Sequence, residues 1–254
     1  MWSVHIGHNN TELRIFKDLL ELSVHAAARF VELALDCVKR QGEFTVCLSG
    51  GSTPVDTYDL LGREPHRSAI PWGKVHIFWG DERCIPLDRP DNHYTLASEL
   101  FLRKVRIPKS NIHRMRGEAD DPTAAADEYQ AMLQSFFKLS PGTYPRFDLI
   151  LLGMGEDGHT ASLYPGTRGL EEQEGLVAGH YVPQRKGFRL TLTLPVLCNA
   201  AQVMFMVSGK SKATALRSVL RRPDEKVLPA QMVRPLNGTL VWLVDEAAAG
   251  ELNI

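Results

Sequence analysis

The stretch "LILLGMGEDGHTASLYPG" (residues 149–166) changes character after its first four residues. Residues 149–152 form an apolar run, which is typical of a strand covered on both faces. Three glycines follow, and Asp157 and His159 lie among and just after them. Glycine adopts backbone conformations that other residues avoid, so this turn has more conformational freedom than a simple surface turn needs. An ionisable cluster on such a turn indicates a ligand-binding edge of a sheet.

Similar apolar runs occur elsewhere in the chain and are rich in β-branched and aromatic residues, at 44–48, 75–79, 147–152, 203–207 and 240–244. Helical patterns lie between several of them, for example after Asp121-Pro122 and from Ala213 to Leu220. Alternating strands and helices favour an α/β fold. We therefore predict a doubly wound, mostly parallel, Rossmann-like sheet with helices on both faces.

Two further segments have patterns of their own, one helical and one extended. From Thr11 to Arg40 apolar residues recur every three or four positions, which predicts one long amphipathic helix closed by Gly42. Residues 176–194 contain "LVAGHYV" and "FRLTLTL", which predict a small extended insertion or edge hairpin. No linker or repeat divides the sequence, so we expect residues 1–254 to form a single α/β domain.

Four polar motifs follow four of the predicted strands: "SGGSTP" (49–54), "GDERCIP" (80–86), "GMGEDGHTAS" (153–162) and "SGKSKA" (208–213). The carboxyl ends of parallel strands share one edge of the sheet, where ligands bind. Each motif is a weak signal alone, but their common position is a strong one. We therefore expect them to line one site.

The first motif presents glycines and hydroxyl groups before a predicted helix, in residues Ser49, Gly50, Gly51, Ser52 and Thr53. Backbone N–H groups at a helix start bind anions, so the loop predicts a phosphate site. The alternative is a plain turn in which Ser or Thr caps the helix.

The second and fourth motifs carry charge. Lysines in "SGKSKA" suit a dianion, although two solvated surface lysines are the simpler interpretation of that segment alone. In the second motif Arg83 stands beside Asp81 and Glu82. Either these form a salt-bridged surface loop, or the arginine binds phosphate or stabilises an oxyanion.

His159 is the candidate general base. We predict that it lies in the first turn of a helix over "HTASLY" that Pro165 ends, where the helix dipole favours the neutral imidazole that a base requires. Asp157 is close enough in sequence to orient the ring. The alternative is a histidine that makes only a structural hydrogen bond.

Composition excludes several classes of partner and cofactor. The 254 residues carry a formal net charge of −1, which gives no basic surface for nucleic acid or an acidic membrane. The sequence has no H-E-x-x-H motif and no His/Cys spacing suited to a catalytic metal, so no metal and no cofactor are expected. Four scattered cysteines and an N-terminus unlike a signal peptide favour the cytoplasm. The expected partner is a small molecule, and we expect a monomer, although the sequence does not decide this.

Together these motifs, with "RLTLTLPVL" and the late "PAQMVRP", resemble the 6-phosphogluconolactonase family, the lactone hydrolases of the oxidative pentose phosphate pathway. The resemblance covers nearly the whole chain and is most specific in "LGMGEDGHTASLYPG". It implies a fold similar to that of glucosamine-6-phosphate isomerase/deaminase, with no metal or nucleotide. The reaction implied is hydrolysis of 6-phosphogluconolactone to 6-phosphogluconate.

The resemblance also implies roles for individual residues. His159 activates water, the loop from Ser49 to Thr53 holds the sugar phosphate with Lys212, and Arg83 assists at the phosphate or the carbonyl. Asp81 lies where the related deaminases have a proton-abstracting aspartate, so its role in a lactonase is open. Two departures from the family pattern are "DNHY" (91–94) and Tyr164, which replaces a frequent phenylalanine.

Two other functions remain on this scaffold. One is an amino-sugar-phosphate isomerase/deaminase, which needs Asp81 as its base, whereas Arg83 in "DER" favours the lactonase. The other is a non-catalytic sugar-phosphate sensor of the kind found in transcriptional regulators. A sensor would be expected to have an attached DNA-binding segment, and the predicted N-terminal helix has no basic face.

Overall fold

The computed structural model describes residues 2–5, 10–221 and 227–252. The strands in this part of the chain are β1 Trp2–His5, β2 Thr11–Phe16, β3 Phe44–Leu48, β4 Val75–Trp79, β5 Asp81–Arg83, β6 Ile112–His113, β7 Leu149–Leu152, β8 Val177–Val182, β9 Gly187–Leu192, β10 Gln202–Val207 and β11 Thr239–Asp245. The α-helices are α1 Leu19–Gln41, α2 Val55–Leu61, α3 His66–Ala69, α4 His93–Ala97, α5 Pro122–Phe137, α6 Arg168–Glu171, α7 Leu194–Cys198, α8 Ala213–Leu220, α9 Pro229–Met232 and α10 Glu246–Ala249. A π-helical turn, Ser98–Leu102, continues α4.

Eight of the described strands form the central sheet, in the order β1-β2-β11-β10-β7-β3-β4-β6. Only β1 pairs antiparallel, with β2, and every other pairing in this sheet is parallel. Every residue of β3, β7 and β10 is buried. A strand buried at successive positions is covered on both faces, since its side chains alternate between them. The predicted mostly parallel, doubly wound α/β sheet is therefore confirmed.

The strand order places a crevice at the centre of the sheet. From β3 the chain adds β4 and β6 on one side, and from β7 it adds β10 and β11 on the other. The direction of winding thus reverses between β3 and β7, and ligands of open α/β sheets bind at the carboxyl ends of strands at such a point. The loops that leave these two strands begin at Ser49 and Gly153.

The N-terminal prediction of one helix from Thr11 to Arg40 is wrong in its first part. Residues 11–16 are β2, which pairs with β11 in parallel and with β1 antiparallel. The helix starts only at Leu19, after Asp18, whose carboxylate accepts a hydrogen bond from the Glu21 N–H. Burial of Leu13 and Phe16 mimics a helical spacing, but strand pairing decides the conformation. The predicted end is correct, because Gly42 closes α1 with a φ of 90°.

The extended insertion predicted at 176–194 is confirmed as the hairpin β8–β9. The hairpin also pairs with β5, and the three strands form a second small sheet in the order β5-β9-β8. Strand β4 thus continues through Gly80 into a different sheet. The Gly80 N–H donates to the carbonyl of Leu48, and the Gly80 carbonyl accepts from the Leu192 N–H, so this residue joins the two sheets.

The helix predicted after Asp121-Pro122 is α5, and Asp121 caps it by accepting a hydrogen bond from the Thr123 N–H. This helix contacts the hairpin strand β8. Across the described ranges, no helix combines the length and the apolar character that crossing a membrane requires.

Candidate active site

A cleft of about 630 Å³ opens at the carboxyl ends of β3, β4, β7 and β10. Its lining contains all but one of the residues predicted for the site: Ser49, Gly50, Gly51, Ser52, Thr53, Asp81, Arg83, His159 and Lys212. The remaining one, Asp157, contacts the ring of His159. The structure therefore brings the four sequence motifs together at one edge, as expected from parallel strands.

Tyr58 of α2 fixes the first residue of the loop after β3 through two hydrogen bonds. The Tyr58 hydroxyl donates to the Ser49 carbonyl at 2.7 Å and accepts from the Ser49 N–H at 3.1 Å. Gly51 has a φ of 91°, which favours glycine. No side chain caps the start of α2, so the hydroxyls of Ser52 and Thr53 do not serve as its cap. The alternative of a plain capped turn is therefore not what this loop shows.

Ser49 adds a second observation in the same loop. Its side chain is buried, and its Oγ has no hydrogen-bond partner in the structure. A buried hydroxyl without a partner costs free energy, because it has lost its hydrogen bonds to water and has gained none in their place. Since Ser49 lines the cleft, a bound anion would supply the missing partner.

Asp245 holds the loop after β10. Its carboxylate accepts hydrogen bonds from the Ser208 hydroxyl, the Gly209 N–H and the Ala248 N–H. Gly209 has a φ of 98°, where a side chain would be strained. This turn places Lys212 in the cleft lining, whereas Lys210 is exposed and outside it. Only one of the two lysines in the motif therefore faces the site.

The predicted helix over residues 159–164 is wrong. The Thr160–Leu163 segment forms an isolated antiparallel bridge, and Ala161 has a φ of 46°. The Gly155 N–H donates to the His159 carbonyl, which closes the glycine-rich loop on itself. The Thr160 hydroxyl donates to the Gly153 carbonyl. These contacts fix a tight loop, so His159 does not lie at the start of a helix and no helix dipole acts on it.

His159 has side-chain partners on both ring nitrogens. Its Nδ1 lies 2.5 Å from Asp157 Oδ1, and its Nε2 lies 3.0 Å from the Tyr164 hydroxyl. Partial burial raises the pKa of Asp157, but the hydrogen bond and charge of His159 outweigh it and bring the pKa down to about 2. An ionised carboxylate only accepts, so Nδ1 donates to Asp157; in the neutral ring that a general base requires, Nε2 then carries the lone pair. The predicted orienting contact of Asp157 is present in the structure.

Gly155 makes room for this pair. A Cβ at this position would lie 2.0 Å from His159 Nδ1 and 2.5 Å from Asp157 Oδ1. Such distances exclude any side chain unless the ring moves. The glycine therefore permits the close approach of the histidine to its own loop.

Asp81 lies in a buried cluster with His93, a residue of the "DNHY" segment. Asp81 Oδ2 accepts from the Ser162 hydroxyl at 2.8 Å, and Asp81 Oδ1 lies 3.5 Å from His93 Nδ1. Burial opposes ionisation of Asp81, but His93 and Ser162 outweigh it and lower the carboxyl pKa. Burial likewise opposes the charge on His93, but Asp81 and Glu82 outweigh it and raise the pKa of His93 to about 9. The pair is therefore ionised at neutral pH.

Two arginines face each other at the rim of the cleft. Arg83 on β5 and Arg189 on β9 are directly paired positions of the antiparallel ladder, and both line the cleft. Like charges opposite each other destabilise a sheet unless an anion neutralises them. Arg83 forms an ion pair with Asp91 at 2.9 Å, a contact that the sequence did not indicate.

Sequence reasoning missed four residues of the lining: His93, Tyr164, Arg185 and Arg189. His93 and Tyr164 were noticed only as departures from a family pattern. The sequence does contain a signal for Arg189. Side chains alternate between the two faces of a strand, so "FRLTLTL" puts Arg189 and Thr191 on the same face. Thr191 does reach the site, where its hydroxyl accepts from the Ser162 N–H. Arg185 lies in the turn of the hairpin and has no periodic signal.

The chain is similar to known proteins both in sequence and in structure. Residues 17–242 match the model of a family described as glucosamine-6-phosphate isomerases/6-phosphogluconolactonase. A 6-phosphogluconolactonase from Synechocystis sp. is 41% identical over 232 residues, covering 87% of this chain and 93% of the relative. One from Nostoc sp. is 39% identical over 233 residues, covering 89% and 94%. The solved structure of 6-phosphogluconolactonase from Trypanosoma cruzi superimposes with a TM-score of 0.86 at 26% identity, covering 98% of this chain and 99% of that one.

Proposed function

The chain belongs to the family of glucosamine-6-phosphate isomerases and 6-phosphogluconolactonases, and we propose that it hydrolyses 6-phosphogluconolactone to 6-phosphogluconate with His159 as the general base. It is an enzyme of the hydrolase class that acts on a phosphorylated sugar lactone. The observation that carries the mechanism is His159, oriented by Asp157, in the lining of a cleft that also contains Ser49, whose hydroxyl is unpartnered, and Lys212.

Substrate binding begins at the phosphate. The loop from Ser49 to Thr53 offers backbone N–H groups and hydroxyls, and Lys212 adds a positive charge. These are the groups that bind a dianion in proteins. Binding energy at the phosphate holds the lactone in place while the reaction takes place at the other end of the sugar.

The chemical step uses His159 twice. Asp157 fixes the proton on Nδ1, so Nε2 removes a proton from water as that water attacks the lactone C1 carbonyl. The resulting oxyanion is stabilised by positive groups of the lining, for which Arg83 and Arg189 are the candidates. The protonated His159 then gives its proton to the departing ring oxygen, which restores the neutral base.

Asp81 does not have the surroundings of a proton-abstracting base. One carboxylate oxygen accepts from Ser162, the other lies beside the charged ring of His93, and the pKa is lowered by both, against the effect of burial. A base with a lowered pKa is a weak one. This arrangement supports the lactonase over the isomerase/deaminase reaction, which needs Asp81 as its base.

The direct test is a lactonase assay. Freshly prepared 6-phosphogluconolactone is added to the purified protein, acid release is followed, and spontaneous hydrolysis is subtracted. We expect rapid hydrolysis of the phosphorylated lactone. The lactone without phosphate should have a much lower kcat/KM, through a lower kcat as well as a higher KM. Equal kcat/KM for the two lactones would show that phosphate is not the anchor, and no hydrolysis above background would contradict the function.

The remaining proposals concern the whole chain. One domain is supported by a hydrophobic cluster of the described residues that joins both sheets, and a monomeric state is proposed from the sequence. Light scattering on a size-exclusion column would give a mass near 28.4 kDa for a monomer. The four cysteines form no disulfide, which supports a reducing compartment such as the cytoplasm.

A further inference from the structure

Tyr164 joins the proposed base to a residue in the turn between β8 and β9. Its ring stacks on that of His159, with centroids 4.1 Å apart and planes at 19°. Its hydroxyl lies 3.0 Å from His159 Nε2 and 3.0 Å from Arg185 Nε. The Arg185 guanidinium also lies over the tyrosine ring, 5.6 Å from its centroid. Four side chains therefore form one chain of contacts, in the order Asp157, His159, Tyr164 and Arg185.

The direction of each hydrogen bond follows from what the groups can do. Asp157 accepts from Nδ1, so in the neutral ring of the proposed base Nε2 is an acceptor. Arg185 Nε only donates, so the Tyr164 oxygen accepts from it and its own proton points to Nε2. Tyr164 is 4% exposed, and its burial raises the hydroxyl pKa although Arg185 acts in the opposite direction. The hydroxyl is therefore a protonated donor at neutral pH.

We propose that Tyr164 and Arg185 form a positioning arm that holds Nε2 of the base in its unprotonated form until water replaces the tyrosine hydroxyl. The inference rests on the proposed function of His159. A donor to Nε2 can pair only with the neutral ring, since the protonated ring has no lone pair there. The arm therefore opposes protonation of the base, and it occupies the position from which water must be activated.

Other charged groups lie around these four side chains, on several elements. Glu156 and Asp157, in the same loop as His159, interact with Arg185, and Asp81 on β5 interacts with His159. Arg189 on β9 interacts with Tyr164, and His93 contacts Asp81. Substituting Tyr164 by phenylalanine leaves all of these charges in place and preserves the stacked ring. It therefore isolates the contribution of the hydroxyl.

The test compares the pH dependence of Tyr164→Phe with that of the wild type. Loss of a donor to the neutral ring makes the base easier to protonate, so the acid limb of kcat/KM should move to higher pH by about half a unit to one unit. The phenylalanine ring still stacks on His159, so the readout is the position of the limb and not the rate on the plateau. Tyr181→Phe is the matched control, since Tyr181 is an exposed tyrosine on β8, and its limb should not move.

A second readout does not use activity. The imidazole resonances of the nine histidines are titrated by NMR, and His159→Gln identifies the signal of His159. Its titration midpoint should rise in Tyr164→Phe. An unchanged midpoint and an unmoved limb would overturn the arm while leaving the lactonase function intact. Absence of wild-type hydrolysis would contradict the function instead, and the NMR titration would still decide whether the arm exists.

Arg185 is tested in both backgrounds. If it acts through the tyrosine hydroxyl, Arg185→Gln should move the limb in the wild type and move it less in Tyr164→Phe, because the two residues are coupled. Equal shifts in both backgrounds would show that the arginine acts through its charge alone. That result would remove Arg185 from the arm.

Discussion

At the scale of single residues, the site depends on which carboxylates are available and which are engaged. Asp157 is half-exposed and orients the ring of His159, whereas Asp81 is buried and holds a cation and a hydroxyl. Asp157 and Asp81 therefore have different roles, which are set by their surroundings. This is the basis for assigning the base to the histidine.

His159→Gln should lower kcat by about 10² to 10⁴, because the proton of the attacking water has no acceptor. Binding of 6-phosphogluconate should remain nearly unchanged, since the phosphate loop is not altered. Steady-state kinetics and calorimetric titration measure the two effects, and circular dichroism verifies folding. A folded variant with most of the wild-type kcat would place the base elsewhere, with Asp81 as the next candidate.

His93 gives a pH dependence of stability. Its pKa is raised to about 9 in the folded protein, against burial, by Asp81 and Glu82. The stability from this charge is present in full below the unfolded pKa of about 6.5 and is lost as pH rises through about 9.

His93→Asn should therefore lower the free energy of unfolding by roughly 1–3 kcal/mol near pH 6 and by much less at pH 9.5. Urea unfolding at both pH values measures this. A loss of the same size at both values would mean that the charge of His93 does not contribute.

At the scale of elements, the loops that follow the strands shape the site more than the helices do. Strands β3, β7 and β10 deliver the loops, and internal contacts shape them: Tyr58 under the first, the His159 carbonyl within the second and Asp245 behind the third. Each loop is thus fixed before a ligand arrives. Prearranged donors need no reorganisation when the substrate binds.

Lys212→Ala should weaken binding of 6-phosphogluconate by roughly 10- to 100-fold, since a charge-assisted contact to phosphate is removed. Lys210→Ala is the matched control, because Lys210 belongs to the same turn but is exposed and outside the cleft lining. Calorimetric titration of both variants checks this. Equal effects of the two substitutions would indicate a general effect of charge and no specific contact.

Gly155→Ala should lower kcat by about a hundredfold, because the added methyl group overlaps His159 Nδ1 and moves the base. Gly73→Ala serves as the control, since a Cβ there meets nothing within 4 Å. Kinetics of both variants, with melting curves, separate displacement of the base from loss of the fold. Full activity in folded Gly155→Ala would show that the loop relaxes without cost to the reaction.

At the scale of the whole molecule, two sheets share one site. The central sheet carries the proposed phosphate loop and the loop that holds His159, and the small sheet β5-β9-β8 carries Asp81, Arg83 and Arg189. Gly80 joins the two sheets through hydrogen bonds to both. In the proposed mechanism the reacting end of the substrate lies between these two sheets.

Chelation should leave activity unchanged. The proposed mechanism assigns the base and the anion-stabilising groups to side chains, and within the described residues no group of three His, Cys, Asp or Glu is placed to hold a metal ion. The assay is run after dialysis against EDTA and again after adding divalent ions. A loss of activity that one added ion restores would contradict this mechanism.

Much of the fold and of the site follows from the sequence alone. The apolar runs gave the buried strands of the central sheet within two residues, because a strand covered on both faces must be apolar throughout. Parallel pairing then placed "SGGSTP", "GDERCIP", "GMGEDGHTAS" and "SGKSKA" at one edge. Their glycines, hydroxyls and charges predicted the lining that contains His159 and Lys212.

Tertiary structure decided the rest, because the deciding contacts join residues that no periodic pattern relates. Strand β2 exists because β1 and β11 pair with it, although its apolar spacing is helical. His93 contacts Asp81 across 12 positions, and Arg185 reaches Tyr164 across 21. His159 in turn contacts Asp157 and Tyr164 and does not lie in a helix. A local pattern determines where a side chain starts, whereas packing between distant segments determines what it touches.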